Sequence, residues 1–191
     1  MAAMRSLLTL AGFVVLLVTA VAQPRAQPGA AASDWPNHGG DSGSTKYAPL
    51  EQITAANVGT LAIAWRRPGL DPAVQAAHPD LVVPRNYRST PLKAGELLFA
   101  SNALGLAEAF DPVSGRTVWA QAVEAEDLGG AGASRNLAYW TGQDDARVFN
   151  VRGRYLYALD ARSGRPAGGF GLGGRVDLMV GLGSKVTSFR W

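Results

Sequence analysis

The sequence predicts an all-β fold made of β-propeller blades, as an incomplete part of a propeller. The first observation is an internal repeat, in which one eight-residue string recurs at an offset of 49 residues. The second is a series of short apolar segments separated by turns, with about four segments in each period, which is typical of propeller blades. The third is composition: 47% of the 191 residues are hydrophobic and 17% are charged, which is typical of a chain that folds around a core.

The repeated string begins at Ala109 in its first copy and at Ala158 in its second, and both copies share the frame Ala-x-Asp-x-x-Ser-Gly-Arg. Asp at the third position and Gly at the seventh predict a tight turn in which the glycine takes a positive φ. The first copy continues to Trp119, whereas the second has Gly168 at the matching position. Because an exposed indole is costly, we expect Trp119 to pack against a neighbouring blade. Two similar hairpins within one β-sandwich are the alternative that strand spacing leaves open.

The remaining elements follow from local pattern. The spacing of Ile53, Val58 and Leu61 indicates a short helical turn that leads into a strand over residues 61–65. Three prolines and a mixed pattern predict a long loop over residues 67–86. Strands are then predicted at 89–92, 96–101, 106–110, 116–120, 137–140, 147–151, 155–159 and 175–180.

The first 22 residues form a separate segment. Arg5 supplies a positive start, residues 7–18 are mostly apolar, and Ala20-Val21-Ala22 offers the small residues of a cleavage site. We therefore expect a cleaved signal peptide over 1–22 and export to the periplasm, with an uncleaved membrane anchor as the alternative. Residues 23–33 are predicted to be a flexible leader, and the folded part is predicted to span 34–191.

Composition excludes several kinds of site. The chain has no cysteine, which excludes disulfides, thiolate metal sites and a cysteine nucleophile. Its net charge is +3, and its basic residues are scattered, which does not favour nucleic-acid binding. Residues 169–174 satisfy the G-x-G-x-x-G pattern, but a predicted strand follows where a dinucleotide site needs a helix.

Several segments together carry a family resemblance. The Ala-x-Asp-x-x-Ser-Gly-x-x-x-Trp string at 109–119 resembles the tryptophan-docking motif of quinoprotein dehydrogenases. The other segments that resemble the pyrroloquinoline quinone (PQQ)-dependent glucose and alcohol dehydrogenase family are 35–41, 45–50, 57–65, 134–140 and 169–178. The resemblance implies an eight-bladed propeller with PQQ on its axis and a calcium ion that polarises the reactive carbonyl.

The resemblance implies two cofactor-binding residues, Arg135 and Arg88. Arg135 stands where the family has an arginine that contacts the cofactor, and a guanidinium suits a carboxylate. A surface arginine at a strand entry is the alternative. Arg88 stands where many members have a glutamate, and it offers donors but no acceptor. Gly129-Gly130 replaces the adjacent cysteines of alcohol-oxidising members, which disfavours the methanol and ethanol type and favours a sugar or polyol type.

The predicted blades do not complete a propeller. At about fifty residues a blade, residues 34–191 hold two blades and an opening strand, so we expect an N-terminal fragment that is inactive alone. The resemblance places the calcium ligands and the catalytic aspartate beyond residue 191, and no catalytic or metal-binding residue is predicted here. Two blades also leave a lateral face open, on which we expect Trp119 to meet water in the isolated segment.

The predicted parent protein is a periplasmic dehydrogenase that uses PQQ and calcium. Its expected partners are a sugar, polyol or alcohol substrate and an electron acceptor such as a quinone or a cytochrome. The alternative is a cofactor-free propeller scaffold of the outer-membrane-assembly type. Arg88 and Gly129-Gly130 favour the scaffold, whereas Arg135 and the absence of a lipobox cysteine favour the enzyme.

Overall fold

The computed structural model describes residues 33–84, 87–125 and 137–182. The elements in chain order are a 3-10 turn at Val58–Thr60, helix α1 at Pro72–Ala77, and strands β1 Leu92–Ala94, β2 Leu97–Ser101, β3 Ala107–Phe110, β4 Thr117–Ala120, β5 Ala138–Thr141, β6 Ala146–Arg152, β7 Tyr155–Asp160 and β8 Arg175–Asp177. The predicted signal peptide at 1–22 lies outside the described residues. Within the described ranges, no helix is both long enough and apolar enough to cross a membrane.

The strands form two four-stranded antiparallel sheets, ordered β1-β2-β3-β4 and β5-β6-β7-β8. Each sheet is a simple meander, which confirms the predicted blade architecture. The first strands of the two sheets, β1 and β5, approach each other. Buried side chains from both sheets form one core, whose larger members are Leu92, Phe99, Trp119, Leu137, Val148 and Leu159. The two blades therefore pack face to face around a shared apolar layer.

Trp119 joins the first blade to the second. Its side chain is 8% exposed, and its indole Nε1 donates to the carbonyl oxygen of Ala161 over 3.0 Å. The ring lies on Gly164, where an added Cβ would come within 2.5 Å of it. The predicted packing against a neighbouring blade is confirmed. The expectation that Trp119 meets water in this segment was wrong, because the second blade within the same chain covers it.

Trp65 repeats this contact one blade earlier. Its Nε1 donates to the carbonyl oxygen of Pro112 over 3.0 Å, and its ring lies on Gly115, where a Cβ would come within 2.6 Å. The Phe110 ring meets Trp65 edge-on at a centroid distance of 5.8 Å. Both tryptophans thus use the same pair of partners, a turn carbonyl and the turn glycine.

The two turns that receive these rings have the predicted construction. Asp111 accepts hydrogen bonds from the backbone N–H groups of Val113 and Ser114 and from the Ser114 hydroxyl. These bonds, above all the one from the Ser114 backbone, hold the pKa of Asp111 below its ordinary value. Asp160 accepts the equivalent bonds from Ser163. Gly115 and Gly164 have φ values of 69° and 68°, so both turns need the left-handed conformation that glycine adopts without strain.

Three predicted elements differ from the structure. Residues 61–65 form no ladder with another described strand, and the side chain of Trp65 anchors them to the first blade. The loop predicted over 67–86 contains α1, which Asp71 caps by accepting from the Ala73 N–H. The first predicted strand, 89–92, overlaps β1 only at its last residue, because the segment before it is held by side-chain bonds instead of a ladder.

We predict that Gly164→Ala destabilises the chain by about 2–5 kcal/mol. The alanine must adopt a left-handed backbone, which costs about 1–2 kcal/mol, and its Cβ overlaps the Trp119 ring, which adds about 1–3 kcal/mol. Gly153→Ala is the matched control, since Gly153 has a φ of 53° and nothing within 4 Å of an added Cβ. Urea unfolding of both variants measures the difference, and equal losses would contradict a role for the ring contact.

Candidate functional site

The segment before β1 presents an arginine on an anchored backbone. The Tyr87 hydroxyl donates to the carbonyl oxygen of Ser101 over 3.0 Å. The Ser89 hydroxyl oxygen accepts from the Ser101 N–H over 3.1 Å. Arg88 lies between these two anchors with an exposed side chain, and it makes no hydrogen bond or ion pair with a described residue. The site therefore offers a guanidinium whose backbone is fixed and whose donors are free for an anion.

The opening residues cover the free edge of β1. The backbone groups of Trp35 and Lys93 exchange two hydrogen bonds of 2.7 and 3.0 Å. The Lys93 ammonium lies 2.8 Å from a carboxylate oxygen of Asp34, whose other oxygen accepts from the Gly95 N–H. β1 is the first strand of its sheet and contacts β5, so its free edge is called the inner edge of the first blade. The short pairing between Trp35 and Lys93 holds this inner edge in place.

A buried ion pair lies next to the anchored segment. The Arg67 Nη2 is 2.5 Å from Glu108 Oε2, and the two side chains are 20% and 7% exposed. Asn102 donates to the other carboxylate oxygen of Glu108 over 2.9 Å. Burial raises the pKa of Glu108, and this effect exceeds the lowering by Asn102 and Arg67. Burial also raises the pKa of Tyr87, with a smaller contribution from the Glu108 charge, so the pair acts electrostatically on the anchored segment.

The structure describes one of the two predicted cofactor residues. Arg88 lies four residues before β1, while Arg135 lies outside the described residues, three residues before β5 in the sequence. The two arginines therefore precede the first strands of the two sheets at nearly equivalent chain positions. Gly129-Gly130 also lies outside the described residues. Whether the two arginines share one site stays a prediction.

Sequence reasoning missed the Arg67–Glu108 pair and the Asp34–Lys93 pair. The sequence did contain a signal for the Arg67–Glu108 pair. Arg67 follows Trp65 by two residues, which is the position that Gln121 holds after Trp119. The described ranges contain no group of three His, Cys, Asp or Glu side chains placed to hold a metal ion. This part of the chain can therefore hold an anionic ligand through arginine, but it supplies no assembled metal centre.

Comparison with known proteins identifies the family that shares this pattern. Residues 35–189 match the family model described as the PQQ glucose/ethanol/alcohol dehydrogenase β-propeller domain. The chain is 29% identical over 177 residues to the glycerol dehydrogenase large subunit of Gluconobacter thailandicus, covering 87% of this chain and 23% of that protein. It is 30% identical over 137 residues to the dehydrogenase subunit of the alcohol dehydrogenase (quinone) of Gluconobacter oxydans, covering 69% of this chain and 16% of that protein.

A solved structure shows the same architecture. The crystal structure of quinohemoprotein alcohol dehydrogenase from Comamonas testosteroni superimposes with a TM-score of 0.60 at 25% sequence identity, over 81% of this chain and 21% of that chain. The chain thus spans less than a quarter of the length of each of these three proteins.

We predict that Glu108 makes stability depend on pH with a definite sign. Because burial raises the pKa of Glu108, the folded chain keeps a proton that the unfolded chain has released at pH values between the ordinary and the native pKa. The stabilising contribution is complete below the ordinary pKa and is lost as pH rises through the native pKa. Urea unfolding of the wild type and Glu108→Gln at a series of pH values isolates the effect. The wild type should lose stability relative to the variant as pH rises, and parallel profiles would disprove the prediction.

Proposed function

The chain belongs to the PQQ-dependent glucose/ethanol/alcohol dehydrogenase β-propeller family, and from this premise we propose that it is the N-terminal part of a longer periplasmic dehydrogenase that oxidises an alcohol, polyol or sugar. The observation that carries the proposal is the family match over residues 35–189, which includes both docking turns. The relatives named for glycerol and for alcohol support a hydroxyl-bearing substrate. An electron acceptor such as a quinone or a cytochrome would complete the reaction.

The described residues fit the binding of an anionic cofactor. Arg88 offers an exposed guanidinium that has no ion-pair partner among the described residues, and it is held between the anchors Tyr87 and Ser89. PQQ carries carboxylates, and a planar guanidinium binds a carboxylate through two parallel hydrogen bonds. We assign Arg88 and Arg135 to this task. When bound, the quinone supplies the two-electron oxidant for the alcohol.

The inner edge of the first blade would keep Arg88 in place. The Trp35–Lys93 backbone pairing and the Asp34–Lys93 ion pair fix β1 on one side. The side-chain bonds to Ser101 fix the segment that carries Arg88 to β2 on the other. Because a positioned ligand group loses little conformational freedom on binding, this arrangement favours affinity.

The metal and the proton acceptor are proposed to lie outside this chain. The chain spans less than a quarter of the length of its relatives, and the family resemblance is the ground on which the proposal assigns the calcium ligands and the catalytic aspartate to the part of the parent beyond residue 191. The proposed periplasmic location rests on the signal-like pattern of residues 1–22.

We predict that Arg135→Ala in the full-length parent weakens PQQ binding by about 30-fold to several thousand-fold. Truncating one partner of a buried charge pair costs about 2–5 kcal/mol, and each 1.4 kcal/mol is about tenfold in affinity. Arg135→Lys should recover only part of the loss, because lysine keeps the charge without the two-pronged geometry. Quinone titration followed by fluorescence quenching measures the affinities. Equal affinities for the wild type and Arg135→Ala would remove Arg135 from the site.

We predict a smaller effect for Arg88→Ala, about 10-fold in PQQ affinity, because Arg88 is exposed: water screens its paired hydrogen bonds to a carboxylate, so that their contribution stays near the lower end of about 1.5–3 kcal/mol. Arg116→Ala is the matched control, since Arg116 is an exposed arginine in the turn between β3 and β4. Unchanged affinity in Arg88→Ala, or an equal loss in Arg116→Ala, would refute the assignment of Arg88. A parent that binds no PQQ at all would favour the scaffold.

A further inference from the structure

A cavity of about 670 Å³ lies between the two blades, away from the segment that carries Arg88. It is lined by residues that follow β4 on one side and by residues of β7, β8 and their connection on the other. β4 and β8 stand at the edges of their sheets opposite to β1 and β5, and β7 pairs with β8. The lining side chains used below are Ala120, Leu159, Arg165, Pro166, Leu172 and Arg175.

Two arginines, Arg165 and Arg175, line the cavity. The Arg175 guanidinium lies 4.6 Å from the centre of the Tyr155 ring and 3.5 Å from a carboxylate oxygen of Glu124. The same oxygen is 2.9 Å from the Arg152 Nη2, so one carboxylate serves two arginines. Arg165 is exposed, and its guanidinium makes no hydrogen bond or ion pair with a described residue. An anion in the cavity would therefore find donors at Arg165 that no described residue uses, and Arg175 lines the same cavity.

The rest of the cavity wall is apolar. Leu159 is 2% exposed and forms part of the wall together with Ala120 and Pro166. Leu172 is 89% exposed at the tip of a tight turn, which is closed by a bond of 3.0 Å from its N–H to the Arg175 carbonyl oxygen. The turn therefore holds an apolar side chain at the rim of the cavity, where the apolar body of a ligand would cover it.

We propose that this cavity binds an amphipathic organic carboxylate, with its carboxylate at Arg165 and Arg175 and its hydrocarbon body against Leu159, Pro166 and Leu172. The volume falls within the range of about 300–1,000 Å³ that is common for small-molecule sites. A purely polar anion would leave the apolar wall without a partner, and an uncharged lipid would leave the Arg165 guanidinium without a partner among the described residues. Arg88 does not line this cavity, and the proposal does not depend on the proposed cofactor site.

Isothermal titration calorimetry of the full 191-residue chain with three probes tests the ligand class. Octanoate carries both features, 1-octanol lacks the charge, and acetate lacks the hydrocarbon body. Octanoate should bind saturably at one site per chain, and each of the other probes should bind at least about tenfold more weakly, because each loses either a charge-assisted bond or the apolar contact. The absence of saturable binding, or equal binding of 1-octanol, would overturn the proposal.

Variants at exposed positions test the place of binding without disturbing the core. Arg165→Gln should weaken octanoate about tenfold, and Leu172→Ser should weaken it several-fold, while both keep the wild-type Tm. Arg162→Gln is the control, since Arg162 is an exposed arginine that does not line this cavity. Unchanged octanoate affinity in both Arg165→Gln and Leu172→Ser, or a loss in Arg162→Gln equal to that in Arg165→Gln, would rule out the cavity as the binding place.

Discussion

The relation between the two blades depends on one contact, an indole ring lying on a glycine of the next turn. Trp119 uses Gly164 in this way, and Trp65 uses Gly115. The ring fills the space that any other side chain at the glycine would occupy, and its N–H finds a turn carbonyl instead of remaining unpaired in the interior. The glycine is therefore needed twice, for the backbone conformation of the turn and for the approach of the ring.

A polar contact accompanies each apolar one, always two residues after the tryptophan. Arg67 reaches Glu108 on the first blade, and Gln121 accepts from the Asn150 amide on the second blade over 3.0 Å. The chemistry differs, since one pair is charged and the other is neutral, yet both bind the outgoing strand to the blade ahead. A neutral amide pair avoids the desolvation that raises the pKa of Glu108. The two equivalent positions thus use different chemistry for the same link, and each leaves one buried polar atom without a hydrogen bond to a described residue, Arg67 Nη1 in the first and Asn150 Oδ1 in the second.

Trp65 also defines the place of a segment that has no ladder. It stands relative to the first blade as Trp119 stands relative to the second, and Trp119 belongs to β4, the fourth strand of its sheet. Residues 61–65 therefore occupy, relative to the first blade, the position that the fourth strand β4 occupies relative to the second. The exposed side chains of Leu61 and Ile63, 60% and 66% accessible, lie along this segment. The apolar residues of this segment are typical of a strand within a sheet.

The sequence predicts the turns and the strands on either side of them. It predicts much less about which side chains are buried and what they contact. Asp and Gly at fixed spacing specify the docking turns locally, so these were found without tertiary information. The side-chain anchors of the segment before β1, and the pairing of Arg67 with Glu108 across 41 residues, depend on contacts between distant parts of the chain.

All four residues of β3 are buried, because neighbouring structure covers both faces of this strand. The alternation that normally separates a buried face from an exposed one is then lost, and a charged residue such as Glu108 looks like a surface residue in the sequence. Burial on both faces is what turns it into a paired group, and it is also why its carboxyl holds a proton more strongly than an exposed one.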